Sequence, residues 1–309
     1  MQWTLLGAGA LGCVIAGLLR HQGESVALML SERHRGHLHP LYELINLSGR
    51  AELISTQACF AEQARQVECL IVVTKAYQIL PALKNLHNLP SSTPIILLHN
   101  GLGVAEQVAT LLPNNPLLAG ICSHGAMKEA DWLIRHTGKG DTWLGALNEA
   151  GREWAHLVKP LAKALGHAQW SDNIELQQRR KLAINAVINP LTAYHNIANG
   201  QLLTPRFNEA LAQLSEEVHQ VMAQLDGADA ESLAAFRRRL QQVLELTATN
   251  YSSMQQDIAY GRPTENDYIS GYVVAKAGQL PIPVTLQLYQ AIQRLERGLG
   301  RDKQGQGTT

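Results

Sequence analysis

The sequence is poor in charged and aromatic residues, and neither sign of charge is in excess. Charged residues make up 17% and aromatic residues 5% of the 309 residues, and the formal net charge is zero. Proteins that hold nucleic acid or an anionic membrane through overall charge carry a basic excess, so we expect neither partner. With 46% hydrophobic residues, a chain of this length predicts a globular protein with two domains of ordinary size.

The chain has only four cysteines, and no two of them form a C-x-x-C pair. Cys13 and Cys69 lie in apolar runs, where buried free thiols are common, and this indicates a reducing compartment. No uncharged apolar run reaches the length of about 18 residues that a membrane-spanning helix needs. A strand begins as early as Trp3, so we expect no signal peptide. These features predict a cytoplasmic protein. We expect a monomer or a homodimer, and the sequence does not distinguish between the two.

A glycine loop follows the first predicted strand directly. The strand Trp3–Leu6 runs into Gly7-Ala8-Gly9-Ala10-Leu11-Gly12, which opens an apolar helix, and a second strand follows at Ser25–Leu30. In such a loop the first glycine permits a tight turn, the second lets the backbone approach a pyrophosphate, and the third allows close helix packing. The pyrophosphate lies at the helix N-terminus, where free N–H groups favour an anion. The loop and its context predict dinucleotide binding.

The residues after the second strand bear on which nicotinamide cofactor is used. They read Ser31-Glu32-Arg33-His34-Arg35 and contain both known signals. An acidic residue such as Glu32 holds the ribose 2′-hydroxyl of NAD, whereas an arginine holds the 2′-phosphate of NADP. The basic character of the loop favours NADP. A solvated charged turn without a cofactor role is the alternative.

Two further apolar runs predict buried parallel strands. Cys69–Thr74 leads into Lys75, and Ile95–His99 leads into Asn100. Continuous apolar runs are typical of parallel strands that are covered on both faces, and ligands bind beyond the carboxyl ends of such strands. Lys75 and Asn100 hold equivalent positions, so we expect both near the cofactor.

The rest of the first half predicts additional strands and one long helix. Leu117–Cys122 has the pattern of a strand, and Trp132–His136 with Thr142–Leu144 predicts an antiparallel pair. Glu149–Leu165 predicts a single amphipathic helix. Trp170–Asn173 is then the expected crossing into a second domain.

From Ile174 onward the sequence predicts helices and no strand. Glycine and proline punctuate the helical patterns, and the glycine-rich stretch 300–309 predicts a loose tail. The predicted helices are Glu175–Tyr194, Asn208–Leu225, Ser232–Thr249, Glu265–Ala277 and Thr285–Arg297.

The first of these helices is apolar around nearly its whole circumference but carries one polar line. Lys181, Asn185 and Asn189 are spaced four residues apart, so they share one face. Burying such groups without partners costs several kcal/mol, which favours a face that lines a polar cavity. Pro190 is expected to kink the helix beside Asn189. The alternative is a lysine that reaches solvent from the first turn and two asparagines at a helix–helix contact.

Several of these motifs together resemble the ketopantoate reductase (2-dehydropantoate 2-reductase) family. The motifs are the glycine loop, Thr74-Lys75-Ala76, His99-Asn100-Gly101, Arg180-Lys181-Leu182 with Asn185, Asn189-Pro190-Leu191-Thr192, Asn199-Gly200, Asn250 to Met254, and Glu265-x-Asp267. The resemblance implies an α/β fold in which a Rossmann-type dinucleotide-binding domain precedes an all-helical domain of the 6-phosphogluconate-dehydrogenase type. We therefore expect an NADP-binding domain at 1–170 and a helical substrate and catalytic domain at 171–309. The implied reaction is the NADPH-dependent reduction of ketopantoate to (R)-pantoate, on the route to pantothenate and coenzyme A.

The resemblance also implies roles for individual residues. Lys181 would be the proton donor, and Asn100 would contact both nicotinamide and substrate. The small-molecule substrate would be held by Asn100, Lys181, Asn185, Asn189, Asn199, Asn250 and Ser253. The cofactor would be contacted by Gly7, Ala8, Gly9, Ala10, Leu11, Gly12, Arg33, Lys75, Asn100, Ala126 and Glu265. The family often has arginine where this sequence has Ser31, so NADP preference would require Arg33 or Arg35 instead.

The chemistry of lysine supports the role of Lys181 independently of the resemblance. Hydride addition to a ketone builds negative charge on oxygen, and a positioned acid that neutralises it contributes about 10²–10⁴-fold. Partial burial is expected to lower a lysine pKa toward neutrality, whereas arginine does not release its proton. Two other readings stay open at this point. They are a dehydrogenase for another small 2-oxo or 2-hydroxy acid, and a non-enzymatic protein that senses NADPH.

Overall fold

The protein divides into two compact units. The structure, a computed structural model, describes the backbone of residues 1–35 and 40–305, and the side chains of these residues except 33 and 299–305. The first unit comprises Met1–His99 and Val104–Glu175, and the second comprises Asn100–Gly103 and the chain from Leu176 onward.

The first unit is built on a sheet of eight strands within the described residues, in the order β12-β11-β8-β7-β6-β1-β2-β5. In chain order the strands of the protein are β1 (Gln2–Leu6), β2 (Ser25–Met29), β3 (Leu41–Ile45), β4 (Ala51–Ser55), β5 (Gln57–Cys59), β6 (Cys69–Val72), β7 (Ile95–Leu97), β8 (Leu117–Cys122), β9 (Gly125–Ala130), β10 (Leu133–Gly138), β11 (Thr142–Ala146) and β12 (Ala168–Trp170). All neighbours in this sheet are parallel except β8 and β11. Strands β6, β7 and β8 are buried throughout, as their continuous apolar sequences predict.

A second, smaller sheet in the same unit has the order β4-β3-β10-β9. The predicted antiparallel pair of Trp132–His136 with Thr142–Leu144 is therefore wrong. Strand β10 pairs with β9 and β3 in the small sheet, whereas β11 pairs with β8 and β12 in the large one. Two alternating runs that are separated by a glycine-rich turn look like a hairpin, but here each run completes a different sheet.

The helices of the first unit are α1 (Ala10–His21), α2 (Ala76–Lys84), α3 (Ala105–Leu111), α4 (Glu149–Arg152) and α5 (Val158–Leu165). The single helix predicted over Glu149–Leu165 is broken by a 3₁₀ turn at Ala155–Leu157. Pro160 explains the break, because it has no N–H to donate to the carbonyl of residue 156 and is readily accommodated in the first turn of a new helix.

The second unit contains helices and no strand within its described residues. The helices are α6 (Ile174–His195, entering from the first unit), α7 (Asn208–Asp226), α8 (Leu233–Leu246), α9 (Ser253–Ala259), α10 (Ser270–Lys276) and α11 (Pro283–Gly305). The helix predicted over Glu265–Ala277 divides into a 3₁₀ turn at Asn266–Tyr268 and α10. Helix α11 reaches Gly305, so the predicted loose tail is wrong up to that residue, and 306–309 lie outside the described residues. An α/β unit with a parallel sheet followed by a helical unit confirms the predicted fold class.

A buried carboxylate on α7 caps the N-terminus of the last helix. Glu217 on α7 is only 8% exposed, and it accepts hydrogen bonds from the backbone N–H groups of Val284 and Thr285 at 3.0 and 2.7 Å and from the Thr285 hydroxyl at 2.7 Å. The first N–H groups of a helix have no partner within the helix, and its N-terminus favours negative charge. Glu217 thus replaces a local cap and fixes α11 to α7.

Within the described residues, no helix combines the length and the hydropathy that crossing a bilayer requires.

Two buried histidines contact each other where the large sheet passes into the small one. His124 follows β8 and His136 lies on β10, and their side chains are 8% and 6% exposed. The Nδ1 atom of His124 and the Nε2 atom of His136 are 3.0 Å apart, so one imidazole N–H donates a hydrogen bond to the other ring. Burial, reinforced by the neighbouring His136, lowers the pKa of His124, and burial lowers the pKa of His136.

We predict that acidification destabilises the protein through this pair. Because both folded-state pKa values lie below the ordinary histidine value of about 6.5, the unfolded chain binds more protons as pH falls through that value. Stability is therefore highest above about pH 6.5 and decreases toward the lower pKa values of the folded state. Urea unfolding from about pH 8 to about pH 5 measures this loss.

The variant His136→Gln keeps a polar partner for His124 but removes one titrating ring, so its stability should depend less on pH. His87→Gln, at an exposed position, is the matched control and should follow the wild type. Equal pH dependence in all three proteins would show that the pair does not cause the loss.

Candidate functional site

The glycine loop between β1 and α1 has a geometry that only glycine permits at two of its positions. Gly7 has φ of +121°, and a Cβ atom on Gly12 would lie 2.1 Å from the carbonyl oxygen of Gly7. A Cβ atom on Gly9 would meet no heavy atom within 4 Å. The first and third glycines are thus required by the turn and by helix packing, while Gly9 borders open space beside the backbone.

The N-terminus of α1 is suited to an anion. Within the described residues, its N-cap Gly9 provides no capping side chain, and the first turn contains no acidic residue. The N–H groups of this turn and the helix dipole are therefore available to a negatively charged group. Together with the space at Gly9, this loop fits the pyrophosphate of a dinucleotide. The adjacent Ala8, Ala10 and Leu11 are half-buried.

The carboxyl ends of the parallel strands bring other predicted cofactor residues toward this loop. Thr74, after β6, lies against Gly7, and Lys75 is the N-cap residue of α2. Ala126 is half-buried on β9, which follows β8 after a short turn. The first unit thus places Lys75 and Ala126 beyond the strands that flank β1 on one side, as the sequence predicts for Lys75.

The charged side chains of the turn after β2 form ion pairs with one another and with Glu62. The Nε and Nη2 atoms of Arg35 donate to the two carboxylate oxygens of Glu32 at 2.6 and 2.7 Å, and Nη1 donates to Glu62 at 2.7 Å. Ser31 Oγ lies 3.2 Å from Nδ1 of His34. The side chain of Arg33, the predicted phosphate ligand, lies outside the described residues.

Helix α6 presents the polar line that the sequence predicts. Lys181 and Asn185 are half-buried and Asn189 is 6% exposed, whereas neighbouring positions such as Val187 and Leu182 are buried in the apolar core of the second unit. Within the described residues, the amides of Asn185 and Asn189 have no hydrogen-bond partner, yet neither is fully enclosed. Their polar atoms therefore reach accessible surface and are available to a ligand. The helix continues past Pro190 to His195.

Ionic contacts hold the first turns of α6 in place. Arg179 pairs with the buried Asp226 of α7, and Arg239 of α8 pairs with Glu231. The Nη1 atom of Arg239 also donates to the backbone carbonyl of Arg180 at 2.8 Å, which is the peptide group that precedes Lys181. Breaking such partly buried pairs is costly because an unpaired charge remains. The network therefore fixes the backbone that carries Lys181.

Asn199 and Asn250 are joined through the backbone. The N–H of Asn199 donates to the carbonyl of Asn250 at 2.9 Å, and the side-chain amide of Asn199 donates to the hydroxyl of Thr247 at 3.0 Å. The amide oxygen of Asn199 is buried and has no partner within the described residues. A buried acceptor without a hydrogen bond is energetically unfavourable, so this oxygen is a candidate to accept a hydrogen bond from a ligand. The neighbouring Asn250 is exposed.

The adjacent serines Ser252 and Ser253 have different surroundings. Ser252 is 7% exposed; its hydroxyl accepts from the backbone N–H of Gln255 at 3.1 Å and lies 2.7 Å from the hydroxyl of Thr192 on α6. Ser252 is thus the N-cap residue of α9. Ser253 is exposed, and its hydroxyl is not used by any described residue. Of the two hydroxyls, that of Ser252 is used by the protein, and that of Ser253 has no hydrogen-bond partner within the described residues.

Asn100 and Glu265 lie in neighbouring segments of the second unit. Leu102 donates its N–H to the carbonyl of Tyr268 at 2.9 Å, and Gly101, with φ of +81°, packs so closely that a Cβ atom would lie 2.5 Å from Cβ of Tyr268. Glu265 is 4% exposed and accepts from the N–H of Tyr268 through its backbone carbonyl. The segment after β7 therefore packs on the turn that follows Glu265.

Sequence reasoning missed three parts of this arrangement. The pairing of Arg35 with Glu62 joins residues 27 positions apart, and no local pattern predicts it. Helix α9 was not predicted because it is only 7 residues long, although Ser252 three residues before Gln255 is a recognisable cap signal. The contact of Arg239 with the Arg180 carbonyl depends on how α8 packs on α6.

Comparison with known proteins identifies relatives over nearly the whole chain. The family described as ketopantoate reductase PanE/ApbA matches residues 3–149, and its C-terminal counterpart matches residues 173–296. The 2-dehydropantoate 2-reductase of Vibrio cholerae serotype O1 is 36% identical over 301 residues, which span 96% of this chain and 98% of the relative.

Solved structures share the fold. A PanE/ApbA family ketopantoate reductase from Ralstonia eutropha JMP134 superposes with a TM-score of 0.85 at 23% identity, covering 97% of this chain and 100% of the other. A ternary structure of D-mandelate dehydrogenase with NADH and anilino(oxo)acetate gives a TM-score of 0.89 at 22% identity, covering 97% and 99%. Since the family models match both units in order and a relative exceeds one third identity over the full length, this chain belongs to the ketopantoate reductase family.

Proposed function

We propose that this protein reduces 2-dehydropantoate to (R)-pantoate with NADPH, a step toward pantothenate and coenzyme A. The observation that carries the proposal is the line of Lys181, Asn185 and Asn189 on α6, whose two amides reach accessible surface from the stretch 182–193, where the other side chains are buried. A family member that reduces a small hydroxylated 2-oxo acid needs both an acid and several hydrogen-bond donors, and this line supplies them.

The expected domain at 1–170 binds the cofactor, and the expected helical domain at 171–309 binds the substrate and donates the proton. The glycine loop holds the pyrophosphate, and Lys75, Ala126, Asn100 and Glu265 contact the remainder of the cofactor. The bound nicotinamide supplies a hydride to the ketone carbon. The protein's task is to orient the substrate and to stabilise the charge that develops on the ketone oxygen.

Lys181 donates a proton from Nζ to that oxygen. A lysine is suited to this step because it carries positive charge before the transfer and releases a proton in it. Arg239 and Arg179 fix the backbone of the helix turn from which Lys181 extends. Lys181 is therefore the catalytic residue of the proposal.

Asparagine amides and one serine hydroxyl hold the substrate. The amide groups of Asn185 and Asn189 both donate and accept, so they can bind a hydroxyl and a carboxylate on the same molecule. Asn199, Asn250 and Ser253 supply further groups from the segments that pack beside the C-terminal half of α6. The unpaired amide oxygen of Asn199 is a ready acceptor for a substrate hydroxyl once the local packing admits one.

The preference for NADPH over NADH rests on Arg33. Ser31 is neutral, and the guanidinium of Arg35 is engaged by Glu32 and Glu62, which leaves Arg33 as the arginine of this turn for a 2′-phosphate. A protein of the same fold has been solved with NADH, so both cofactors belong in every assay.

The proposed function is tested by following NADPH oxidation by the purified protein against a panel of 2-oxo acids. The panel contains 2-dehydropantoate, branched 2-oxo acids without its hydroxyl, and phenylglyoxylate, the 2-oxo acid that corresponds to mandelate. We expect kcat/KM to be highest for 2-dehydropantoate, because the asparagines then pair with its hydroxyl. A higher value for another acid would reassign the substrate, and no turnover with any acid would contradict a reductase.

We predict that Lys181→Ala lowers kcat by about 10²-fold or more and leaves NADPH binding nearly unchanged, because the lost interaction forms mainly as the oxygen gains charge. Lys181→Arg keeps the positive charge but does not release a proton, so it should not restore kcat. Steady-state kinetics and cofactor fluorescence titration measure the two quantities. Lys163→Ala, at an exposed position, is the control, and wild-type turnover in Lys181→Ala would remove the residue from the acid role.

Ser253→Ala and Ser252→Ala should separate binding from stability. We expect Ser253→Ala to raise KM by an amount equivalent to about 1.5–3 kcal/mol with less effect on kcat, since a hydroxyl that donates to a carboxylate acts in ground and transition states alike. Ser252→Ala should instead lower the unfolding free energy by about 1 kcal/mol, because it removes a helix cap. Steady-state kinetics and urea unfolding of both variants test these roles. A higher KM in Ser252→Ala and a lower unfolding free energy in Ser253→Ala would show that the two roles are exchanged.

Arg33→Ala should weaken NADPH binding by roughly ten- to a hundredfold and scarcely alter NADH binding, because NADH has no phosphate to lose. The neighbouring side chains of Glu32 and Arg35 are exposed, so salt should screen a phosphate bound at this turn, and the preference of the wild type for NADPH should decrease as salt increases. Dissociation constants for both cofactors provide the test. A wild type that favours NADH would refute the NADPH assignment.

A further inference from the structure

The network around Arg35 has features that a solvated surface pair lacks. Both oxygens of the Glu32 carboxylate are engaged by one guanidinium, at 2.6 and 2.7 Å, in the two-point arrangement that gives arginine–carboxylate pairs their geometric specificity. The remaining terminal nitrogen of Arg35 binds Glu62 at 2.7 Å. The three charges form one connected group, although all three side chains are more than half exposed.

The partner of Arg35 outside its own turn is anchored to the first unit. Glu62 belongs to the 3₁₀ helix Ala61–Gln66, and Phe60, which precedes it, is only 4% exposed. The side chain of Gln63 accepts the backbone N–H of Phe60 at 2.9 Å, and the guanidinium carbon of Arg35 lies 4.9 Å from the centre of the Phe60 ring. The hydrogen bond from Arg35 also holds the pKa of Glu62 below its ordinary value. Arg35 is thus positioned by Phe60 and Glu62 in the segment that follows β5.

Glu32 has the position that normally decides against NADP. It lies three residues beyond the end of β2, where a free carboxylate accepts the ribose 2′-hydroxyl of NAD and repels a 2′-phosphate. With Glu62 the connected group has one positive and two negative charges, but both oxygens of Glu32 are engaged by the guanidinium, so Glu32 repels a nearby anion less than a free carboxylate would. How strongly Glu32 repels the 2′-phosphate of NADPH therefore depends on Arg35.

We propose that Arg35 is a specificity-determining positioning residue, which favours NADPH by engaging both oxygens of Glu32 so that this carboxylate repels a 2′-phosphate less. The proposal rests on the proposed function, because it assumes that a nicotinamide dinucleotide binds at the glycine loop. It differs from the role of Arg33, since Arg35 acts through Glu32 and makes no contact with the phosphate. Loss of Arg35 releases a carboxylate that both opposes NADPH and assists NADH.

The test is a mutant cycle on cofactor binding, which is read from the fluorescence of bound NADPH and NADH without substrate. Arg35→Gln should shift the ratio of the two dissociation constants toward NADH by about tenfold, a modest factor because the side chains are exposed. In a background that carries both Glu32→Gln and Glu62→Gln, Arg35→Gln should alter that ratio by less than about twofold, because neither carboxylate that it would release is present. Arg50→Gln removes the same charge from the exposed β3–β4 turn and should leave the ratio unchanged.

The outcomes separate this inference from the proposed function. If Arg35→Gln weakens NADPH equally with and without the Glu32 and Glu62 carboxylates, Arg35 contacts the phosphate directly and the inference is wrong. If Arg35→Gln leaves the ratio unchanged in a protein that binds both cofactors, the inference is wrong and the proposed function stands. A wild type that binds neither NADPH nor NADH would overturn the proposed function itself. Melting temperatures of the exposed variants should match the wild type and exclude unfolding as the cause.

Discussion

The second unit depends on one constraint: a helix surrounded by apolar core must carry an ammonium and two amides along one face. Lys181, Asn185 and Asn189 are tolerated in α6 because their face is not sealed, while the rest of the helix packs against the core. The charged contacts of Arg179 and Arg239 are at the start of the same helix and leave little freedom in its first turns. The helix is thus positioned by charge at one end and by apolar packing along its length.

The first unit is constrained differently, because its glycine loop must let the backbone N–H groups approach an anion closely. Its sheet is parallel around β1, so successive strand ends and the glycine loop meet at one edge. A side chain at Gly7 or Gly12 would clash with other atoms of the protein, whereas the space beside Gly9 contains no protein atom within 4 Å of a Cβ position and is open to a ligand. The charge network after β2 lies beyond the same edge and is held by residues that have no part in the loop.

The features predicted from sequence were those encoded over short distances. Continuous apolar runs gave β6 to β8, and the four-residue spacing of Lys181, Asn185 and Asn189 gave the polar face of α6. The prediction that β10 and β11 pair with each other failed because strand pairing is decided by long-range contacts, and β3, the parallel partner of β10, lies far away in the chain. The partners of Arg35 and Arg239 were not predictable for the same reason, since spatial packing brings Glu62 and the Arg180 carbonyl to them. The side-chain roles of Asn199 and Ser253 were suggested by family resemblance, and only the structure separates Ser253 from its capping neighbour.

The hydroxyl contact between Thr192 and Ser252 has a consequence for any effort to alter substrate range. Thr192 Oγ1 lies within hydrogen-bond distance of the carbonyls of Ile188 and Asn189, at 2.8 and 3.1 Å, and of the Ser252 hydroxyl at 2.7 Å. Ser252 in turn begins the helix on which Ser253 is the first residue. Substitutions near Asn189 and near Ser253 are therefore expected to be epistatic, because both segments share this hydroxyl. A library that varies the two segments together will sample combinations that sequential, one-position screening would discard.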